Sequence, residues 1–362
     1  MKQVLSFFFA LGLLVQPAFS EDTKTVDADL RRRLAEAELS MLFEGESATD
    51  AERWQRRFGD RLNELLGPTA PPERWEAVVE ARQELADHTR LQFTLKAEGI
   101  PALPLYLLIP ERDADKPLAA VVAVHGHGDY GHHAVAGRRD MPGVAEAVDG
   151  ANYDYGLQFV RRGYAVACPC LIPFGDRVDR DAYGSDPCAV TFVRMMALGR
   201  VPIAENVRDI RWAVSFLQSR SEVDGERIGC AGLSYGGRMT MMATALEPRI
   251  KVAAVSGALN LLQERCSLRY SCGVQIIPGL LKYGDFSEIG SLIAPRPCVW
   301  EMGSADGLIV KNGWDEKFKA RLEKIYNAYG AREQLLYDHF EGGHRWNGEV
   351  AFGLFDRVLE DK

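Results

Sequence analysis

The sequence predicts an α/β protein whose mostly parallel central sheet is covered by helices on both faces. Residues 119–124 form a fully apolar run, which is typical of a central parallel strand buried on both faces. From this run to the C-terminus, strand-like and helix-like patterns alternate, as they do in βα repeats. The two observations predict one large α/β domain over residues 73–362, preceded by a helical N-terminal arm over residues 21–72.

The first 20 residues have the composition of an export signal. Lys2 supplies a positive charge, residues 4–15 are almost entirely apolar, and small residues precede Glu21. We therefore expect cleavage after Ser20 and a mature protein that is periplasmic or secreted. No later segment is long and apolar enough to predict an integral membrane span in the mature chain.

The charge of the chain limits its partners. The net charge is −8, from 43 Lys and Arg against 51 Asp and Glu, and acids flank the one basic cluster at residues 31–33. An acidic surface without long basic runs argues against nucleic acid as a partner. The sequence gives no indication of an oligomeric state.

The predicted elements follow the chain in a simple order. The arm is charged and carries apolar residues at helical spacing from about residue 27 to residue 66, and the Gly- and Pro-rich residues 67–72 end it. Alternating or continuously apolar runs predict strands at residues 91–95, 103–109, 119–124, 164–170, 227–231, 252–256, 299–302 and 334–339. Helical patterns lie at residues 144–162, 203–219, 237–246, 313–329 and 350–359.

Residues 232–236, Gly-Leu-Ser-Tyr-Gly, are the most informative stretch because they join a buried strand to a helix through a serine. Glycines two before and two after Ser234 allow the tight turn of a nucleophile elbow, where strand and helix backbones leave no room for side chains. The helix then directs its free N–H groups and its positive dipole end at the serine. The pattern predicts that Ser234 is a catalytic nucleophile.

A serine hydroxyl is a weak nucleophile at neutral pH and needs a histidine base, which a carboxylate orients. Of the seven histidines, only His339 and His344 follow Ser234. His344 lies in a Gly-Gly-His loop after the last predicted strand, so we predict it as the base. His339 lies inside that strand, where a structural role is expected.

The acid is predicted from the strand at residues 299–302 and the loop beyond it. Asp306 lies in that loop, where a carboxylate can reach His344, and is the predicted acid. Glu301, at the end of the strand, is the alternative. A purely structural explanation of Asp306 is an Asx turn before Gly307.

Two backbone N–H groups are needed to bind the oxyanion of the reaction. Tyr235, directly after the nucleophile, is the first predicted donor. The second is predicted in the loop His125-Gly126-His127-Gly128, with His127 preferred over Gly128. Two histidines at i and i+2 without a third ligand do not predict a metal, and no Cys or His spacing fits zinc. We therefore expect neither a metal nor a cofactor.

Other residues carry weaker predictions. Asp176 and Arg177 follow the strand at residues 164–170 and are candidate substrate-binding residues, with a structural Asp–Arg pair as the alternative. Cys266 and Cys272, among seven cysteines, lie in a loop-like stretch and are the disulfide candidates. The stretch over residues 266–283 is a candidate cover for the site.

Six short motifs together carry a family resemblance. They are His125-Gly126-His127-Gly128, residues 162–166 (Arg-Gly-Tyr-Ala-Val), residues 173–177 (Pro-Phe-Gly-Asp-Arg), residues 223–229 leading into the elbow, residues 293–297 (Ile-Ala-Pro-Arg-Pro) and residues 342–344 (Gly-Gly-His). From about residue 75 to the C-terminus the chain resembles the α/β-hydrolase superfamily, in particular the exported branch near dienelactone hydrolases and acetyl xylan esterases. The resemblance implies a serine hydrolase of carboxylic esters, often of plant cell-wall carbohydrate. Its Ser-Asp-His pattern falls on Ser234, Asp306 and His344.

The sequence departs from two branches of that superfamily. Dienelactone hydrolases use a cysteine nucleophile, whereas Ser234 stands here. Glucuronoyl esterases carry an arginine directly after the serine, whereas this chain has Tyr235.

These observations predict an exported serine esterase that hydrolyses a small-molecule or carbohydrate ester through an acyl-enzyme, first of all an acetyl xylan esterase-like deacetylase. A glucuronoyl or uronate methyl esterase is the alternative. A serine peptidase of the prolyl-oligopeptidase type is a further one, although the N-terminal arm is too short for a gating propeller. A catalytically silent carbohydrate-binding protein on the same fold is the non-enzymatic alternative.

Overall fold

The computed structural model describes residues 25–111, 116–178, 186–268, 271–309 and 313–359. The predicted signal peptide over residues 1–20 lies outside the described residues.

One mixed sheet forms the centre of the described chain. Its strands are β1 (Glu76–Glu84), β2 (His88–Ala97), β3 (Ile100–Pro110), β4 (Leu118–Val124), β5 (Ala165–Pro169), β6 (Val223–Leu233), β7 (Ile250–Ser256), β8 (Cys298–Gly303) and β9 (Leu335–Phe340). Across the sheet the order is β1-β2-β3-β5-β4-β6-β7-β8-β9. The first three neighbouring pairs are antiparallel and the remaining five are parallel. The prediction of an α/β fold with a mostly parallel sheet is confirmed.

Helices connect the strands and cover the sheet. In the described residues they are α1 (Val26–Ala35), α2 (Ala48–Leu66), α3 (His132–Val135), α4 (Val144–Ala151), α5 (Tyr155–Val160), α6 (Pro187–Ala197), α7 (Pro202–Gln218), α8 (Tyr235–Leu246), α9 (Leu262–Leu268), α10 (Phe286–Ser291), α11 (Trp314–Ala328) and α12 (Glu349–Leu359). None of these described helices alone has the length and hydropathy of a membrane span. The pair α6 and α7, bent by 99° between them, reaches that length and hydropathy when the two helices are counted together.

The central strand β4 shows why both faces of the sheet are covered. All seven of its side chains are buried. Ala120, Val122 and Val124 point into the core beneath α2, α7 and α8. Val121 and Ala123, one residue out of phase, point into the opposite core beneath α5 and α12. Because successive side chains of a strand alternate between faces, a strand between two helical layers has no polar position.

The N-terminal arm contains two helices where the sequence suggested one continuous helical pattern. Its second helix, α2, buries an apolar stripe that includes Phe58 and Leu62. The Gln55 side chain donates to the carbonyls of Ser291 and Ala294 at 3.0 and 2.8 Å. These contacts attach α2 to the part of the chain that precedes β8. The domain boundary at residue 72 remains a prediction.

Strand β1 was not predicted. Its sequence, Glu-Ala-Val-Val-Glu-Ala-Arg-Gln-Glu, is exposed at nearly every position, so no buried face imposes an alternating pattern. Within the described residues it lies at the edge of the sheet and pairs with β2. The helix predicted over residues 144–162 is two helices, because Asn152 adopts a left-handed conformation (φ 52°) that ends α4.

Candidate active site

Ser234 lies between β6 and α8 in a strained backbone conformation. Its φ and ψ angles are 64° and −121°, a region that non-glycine residues rarely adopt. The Ser234 N–H donates to the carbonyl of Ser256 on β7 at 2.8 Å, and the Ser234 carbonyl accepts the N–H of Arg238 at 2.9 Å. The neighbouring strand and the new helix therefore hold the turn that presents the serine.

The two elbow glycines are required by contact distances. A Cβ on Gly232 would lie 2.5 Å from the carbonyl carbon of Gly236. A Cβ on Gly236 would lie 2.0 Å from the carbonyl oxygen of Val124 at the end of β4. Both are far inside van der Waals contact with backbone that cannot move independently, so β4, β6 and the start of α8 meet here with only glycine between them.

His344 and Asp306 are hydrogen-bonded to each other. The distance between His344 Nδ1 and Asp306 Oδ2 is 2.8 Å. The other carboxylate oxygen of Asp306 accepts the N–H of Leu308 at 2.8 Å, so the Asx turn considered from the sequence exists together with the contact to histidine. His344 Nε2 is buried and has no hydrogen-bond partner among the described residues. This nitrogen is thus available for a proton.

Backbone hydrogen bonds between two loops bring the acid and the histidine together. Ser304 N–H donates to the carbonyl of Phe340 at 2.9 Å, and Ala305 N–H donates to the carbonyl of Gly342 at 2.8 Å. A Cβ on Gly303 would lie 2.3 Å from the carbonyl oxygen of Gly343, so the loops touch backbone to backbone. The parallel pairing of β8 and β9 thus continues into the loops that carry both side chains.

The loop after β4 lies directly against the elbow. A Cβ on Gly126 would be 3.0 Å from the Cβ of Ser234. The Gly126 N–H already donates to the Tyr153 hydroxyl at 2.5 Å. Among the described residues, the backbone N–H groups of His127 and Tyr235 donate to no carbonyl. Both residues line the same cavity as Ser234, and Tyr235 follows Ser234 directly in the chain.

Buried side chains fix this loop. His125 Nδ1 lies 2.8 Å from the carbonyl oxygen of Gly126, and His125 Nε2 accepts the N–H of Leu171 at 2.9 Å. Burial lowers the pKa of His125 to about 4, so the ring is neutral at physiological pH and can accept this bond. His125 thus ties the loop after β4 to the end of β5.

Glu301, the alternative acid, lies elsewhere. It is fully buried in β8 and accepts the N–H of Gly348 at 2.8 Å. Burial raises the pKa of its carboxyl to about 7. No hydrogen bond joins it to His344 in the described part of the chain, whose histidine is bonded to Asp306 instead.

Ser234 and His344 line one cavity of about 500 Å³. His127 and Tyr235 line it as well. So does Arg238, whose guanidinium is buried against the Phe286 ring at 3.6 Å and donates to the side chain of Asn260 at 2.6 Å. Burial lowers the pKa of Arg238 to about 9, which leaves it charged at neutral pH. The sequence analysis did not single out Arg238, because its position one turn into a helix is typical of core packing.

Asp176 and Arg177 do not line this cavity. Arg177 donates to the buried carboxylate of Asp209 at 2.5 Å and to the carbonyl of Cys170 at 3.0 Å. Asp176 faces His133, at 3.0 Å from its Nε2. The geometry therefore gives no support to the predicted substrate contacts. Arg177 does form a structural ion pair, although with Asp209 rather than with its neighbour Asp176.

The cysteine arrangement also differs from expectation. All seven cysteines are free, so the disulfide candidates Cys266 and Cys272 are not paired. Cys266 lies on α9, whereas Cys272 precedes a 3-10 turn over residues 273–275 and lines the cavity together with Cys188. Hydrogen bonds from Cys188 and His127 lower the pKa of the Cys272 thiol. The candidate cover over residues 266–283 therefore supplies part of the cavity wall.

The fold and the site together define the class of the protein. A strained serine between a parallel strand and a helix, with an aspartate in the loop after β8 and a histidine in the loop after β9, is the arrangement of the α/β-hydrolase superfamily. A relative shows the same assignment at the level of sequence. The chain is 31% identical over 294 residues to "Putative hydrolase YtaP" of Bacillus subtilis (strain 168), which covers 78% of this chain and 92% of the relative. The chain belongs to the α/β-hydrolase family that includes this protein.

Other comparisons agree on the fold. Residues 203–261, which contain the elbow, match the prolyl oligopeptidase family. A crystal structure from Bacteroides fragilis described as a "putative acetyl xylan esterase" superposes with a TM-score of 0.77 at 16% identity, covering 93% of this chain and 95% of the other. A glucuronoyl esterase from Solibacter usitatus superposes with a TM-score of 0.63 at 15% identity, covering 90% and 98%.

Proposed function

We propose that the protein is an exported serine esterase that hydrolyses carboxylic esters through an acyl-enzyme. Ser234 is the nucleophile, His344 the general base and acid, and Asp306 the carboxylate that orients the histidine. The observation that carries this proposal is the 2.8 Å contact between His344 Nδ1 and Asp306 Oδ2, with Nε2 left free beside the cavity that Ser234 lines. The ordered appearance of serine, acid and histidine along the chain supports the same roles.

The reaction begins when His344 Nε2 accepts the hydroxyl proton of Ser234. The serine oxygen attacks the ester carbonyl, and the N–H groups of Tyr235 and His127 stabilise the oxyanion that forms. Asp306 stabilises the imidazolium of His344. The intermediate collapses to an acyl-serine, and His344 gives its proton to the departing alcohol.

Deacylation repeats these steps with water as the nucleophile. His344 takes a proton from the water as it attacks the acyl carbonyl, and the same two N–H groups bind the second oxyanion. Collapse releases the carboxylic acid, and the proton on His344 returns to the oxygen of Ser234. No metal or cofactor takes part in the proposed sequence.

Carbohydrate esters, and acetyl esters before others, are the proposed substrates. The Bacteroides fragilis structure described as an acetyl xylan esterase superposes over almost the whole chain, and the glucuronoyl esterase superposes over a similar share with a lower score. A cavity of about 500 Å³ has room for a sugar-sized ester. Export would place the enzyme where extracellular carbohydrate is found. Methyl esters of uronic acids are the second candidate substrate.

Peptide hydrolysis is the rival activity because the elbow segment matches the prolyl oligopeptidase family. That match covers only the region from α7 to just beyond β7, which is shared machinery of the superfamily and does not define the leaving group. An amide and an ester of the same acyl group distinguish the two activities. An esterase hydrolyses the ester and leaves the amide intact.

The test uses the mature protein with acetyl, butyryl and methyl-uronate esters and with a prolyl amide. Ser234→Ala should lower ester hydrolysis by about 10⁵-fold or more and abolish labelling by a fluorophosphonate. Ser215→Ala, the same change on α7 away from the cavity, is the matched control and should keep both. Full ester hydrolysis by Ser234→Ala would disprove the serine mechanism, and turnover of the amide alone would replace the esterase by a peptidase.

A further inference from the structure

Three sulfur and nitrogen donors from distant parts of the chain converge on one wall of the cavity. His127 comes from the loop after β4, Cys188 from the first turn of α6, and Cys272 from the segment after α9. One side-chain donor atom of each lies within 4.8 Å of the other two. All three residues line the cavity together with Ser234. Spacing along the sequence gave no sign of this cluster because its members are about 60 and 80 residues apart.

The surrounding packing holds the three side chains in place. The His127 ring lies between Phe174 and Tyr235, with centroid distances of 5.4 and 5.0 Å. A Cβ on Gly273 would lie 2.6 Å from Cγ of Phe192, so the segment with Cys272 is pressed directly against α6.

The first turn of α6 is itself fixed, because the Cys188 N–H donates to the Asp186 side chain at 2.9 Å. The donors therefore lie on three segments whose relative positions are set by side-chain packing and a helix cap. Both cysteines are buried, whereas His127 is exposed toward the cavity.

The donor types select a class of ligand. Two thiols and one imidazole are soft to borderline donors, which suit Zn²⁺ and related thiophilic ions rather than Ca²⁺ or Mg²⁺. Around a tetrahedral zinc, with bonds of about 2.0–2.3 Å, neighbouring donor atoms lie about 3.3–3.8 Å apart. The donor atoms here lie within 4.8 Å of one another, which exceeds this spacing by at most about 1.5 Å. Three protein ligands leave a fourth position for water or another ligand.

We propose that His127, Cys188 and Cys272 form a binding site for a zinc-class cation, with its open coordination position on the cavity that Ser234 lines. Binding displaces the two thiol protons to solvent and forms two metal–thiolate bonds and one metal–imidazole bond. The proposed ligands are side chains outside the Ser234, Asp306 and His344 set, and His127 would bind the cation through its ring, whereas the proposed esterase uses its backbone N–H. Cation binding can therefore be tested independently of ester hydrolysis.

A second cluster of possible ligands, His132, His133 and Asp176, is already bonded internally. His133 contacts the Tyr106 hydroxyl at 3.0 Å with one ring nitrogen and Asp176 at 3.0 Å with the other. Both ring nitrogens of His133 are therefore occupied, and a cation would have to break these bonds. At Cys272 the contacts within the cluster are among the three proposed ligands themselves, so a cation would replace them without breaking bonds to other described residues, which is why the proposal rests there.

The test is metal titration of the full mature protein after chelator treatment and reduction with a phosphine. Co²⁺, as a spectroscopic substitute for Zn²⁺, should bind once per chain with a thiolate-to-cobalt charge-transfer band, and Zn²⁺ should remove the band. Cys272→Ser and Cys188→Ser should weaken Co²⁺ binding by about 100-fold or more. Loss of a residue that only orients a ligand already lowers metal affinity about 10–100-fold, and loss of a ligand itself should lower it further. Cys266→Ser, a half-buried thiol on α9 outside the cluster, should bind as the wild type does.

Protection from alkylation gives a second readout on the wild-type chain, in case a variant fails to fold. Zn²⁺ should slow iodoacetamide labelling of Cys188 and Cys272 and leave labelling of Cys266 unchanged. Absence of a thiolate band, a band that survives in Cys272→Ser, or equal labelling with and without Zn²⁺ would each overturn the proposal. Recovery of a Cys188–Cys272 disulfide from the natively purified protein would overturn it as well, because oxidised sulfur cannot ligate the ion.

Discussion

Replacing Gly236 by alanine tests whether the elbow depends on backbone contact. A Cβ at this position would lie 2.0 Å from the carbonyl oxygen of Val124 and 2.8 Å from that of His125, whereas ordinary contacts begin near 3.4 Å. The start of α8 and the end of β4 must therefore separate by about 1 Å or more, and overpacking on this scale costs about 3 kcal/mol, the upper end of the usual range. Gly236 has an ordinary backbone φ angle, so the cost is steric and not conformational.

The same movement should impair catalysis, because the two oxyanion donors lie on opposite sides of this contact. Tyr235 begins α8 and His127 follows β4, so a separation of about 1 Å misplaces one donor relative to the other and should lower kcat about 100-fold. Chemical denaturation and hydrolysis of an acetyl ester measure the two effects.

The matched control is Gly353→Ala in α12, where a Cβ meets nothing within 4 Å. This substitution should raise stability by about 0.5–1 kcal/mol and leave the rate unchanged, since alanine is favoured over glycine inside a helix. If Gly236→Ala retains both the wild-type unfolding free energy and the wild-type rate, the contact does not constrain the elbow and the reasoning fails.

Three further predictions concern side chains in and around the site. Asp306→Asn should lower kcat for ester hydrolysis by about 10⁴-fold with little change in KM, because the amide cannot stabilise the imidazolium. A large rise in KM with kcat unchanged would indicate a substrate-binding role instead. Glu301→Gln should stabilise the protein by about 3 kcal/mol above pH 7 and have no effect below pH 4. The folded-state pKa of Glu301 is raised, so the wild-type protein loses stability as the pH rises from the unfolded-state pKa of this carboxyl through about 7, whereas glutamine does not ionise. Urea denaturation at several pH values measures this difference, and a pH-independent effect would contradict it. Arg177→Met should cost about 2 kcal/mol of stability, because Asp209 Oδ2 loses its partner while Arg208 still pairs with Oδ1, and KM should be unchanged in the protein that remains folded. A selective rise in KM would restore the substrate-binding interpretation.

The sequence was sufficient for the parts of the fold in which a local pattern has one physical explanation. Residues 119–124 are apolar without interruption because β4 is covered on both faces, and the pattern has no competing interpretation in a chain of alternating strands and helices. The glycines around Ser234 were equally specific, since each lies where a Cβ would meet backbone. Strand β1 was not predicted because its side chains are exposed on both faces, so its sequence lacks the alternation of apolar and polar residues that indicates a strand.

Features that depend on long-range contact could not be read from the chain. The pairing of Arg177 with Asp209 joins a loop to the interior of a helix, and Asp176 was the more obvious partner only because it is adjacent in sequence. The convergence of Cys188 with Cys272 depends on the close packing of Gly273 against α6. A local pattern does not encode which distant thiol lies nearby, so the sequence could offer Cys266 and Cys272 only as candidates, and the structure leaves both thiols free.

The sequence could only rank Asp306 above Glu301 as the predicted acid, and the surroundings of the two carboxyl groups in the structure distinguish them. Glu301 is fully buried in β8, where burial raises its pKa to about 7 and its carboxyl accepts the N–H of Gly348. Asp306 lies five residues later, with one oxygen bonded to the N–H of Leu308 and the other to the ring of His344. A carboxyl that burial favours in its neutral form is poorly suited to stabilise a transient imidazolium, whereas a carboxylate already bonded to the ring nitrogen is suited to it. The strand end therefore supplies buried structure, and the loop beyond it supplies the proposed acid.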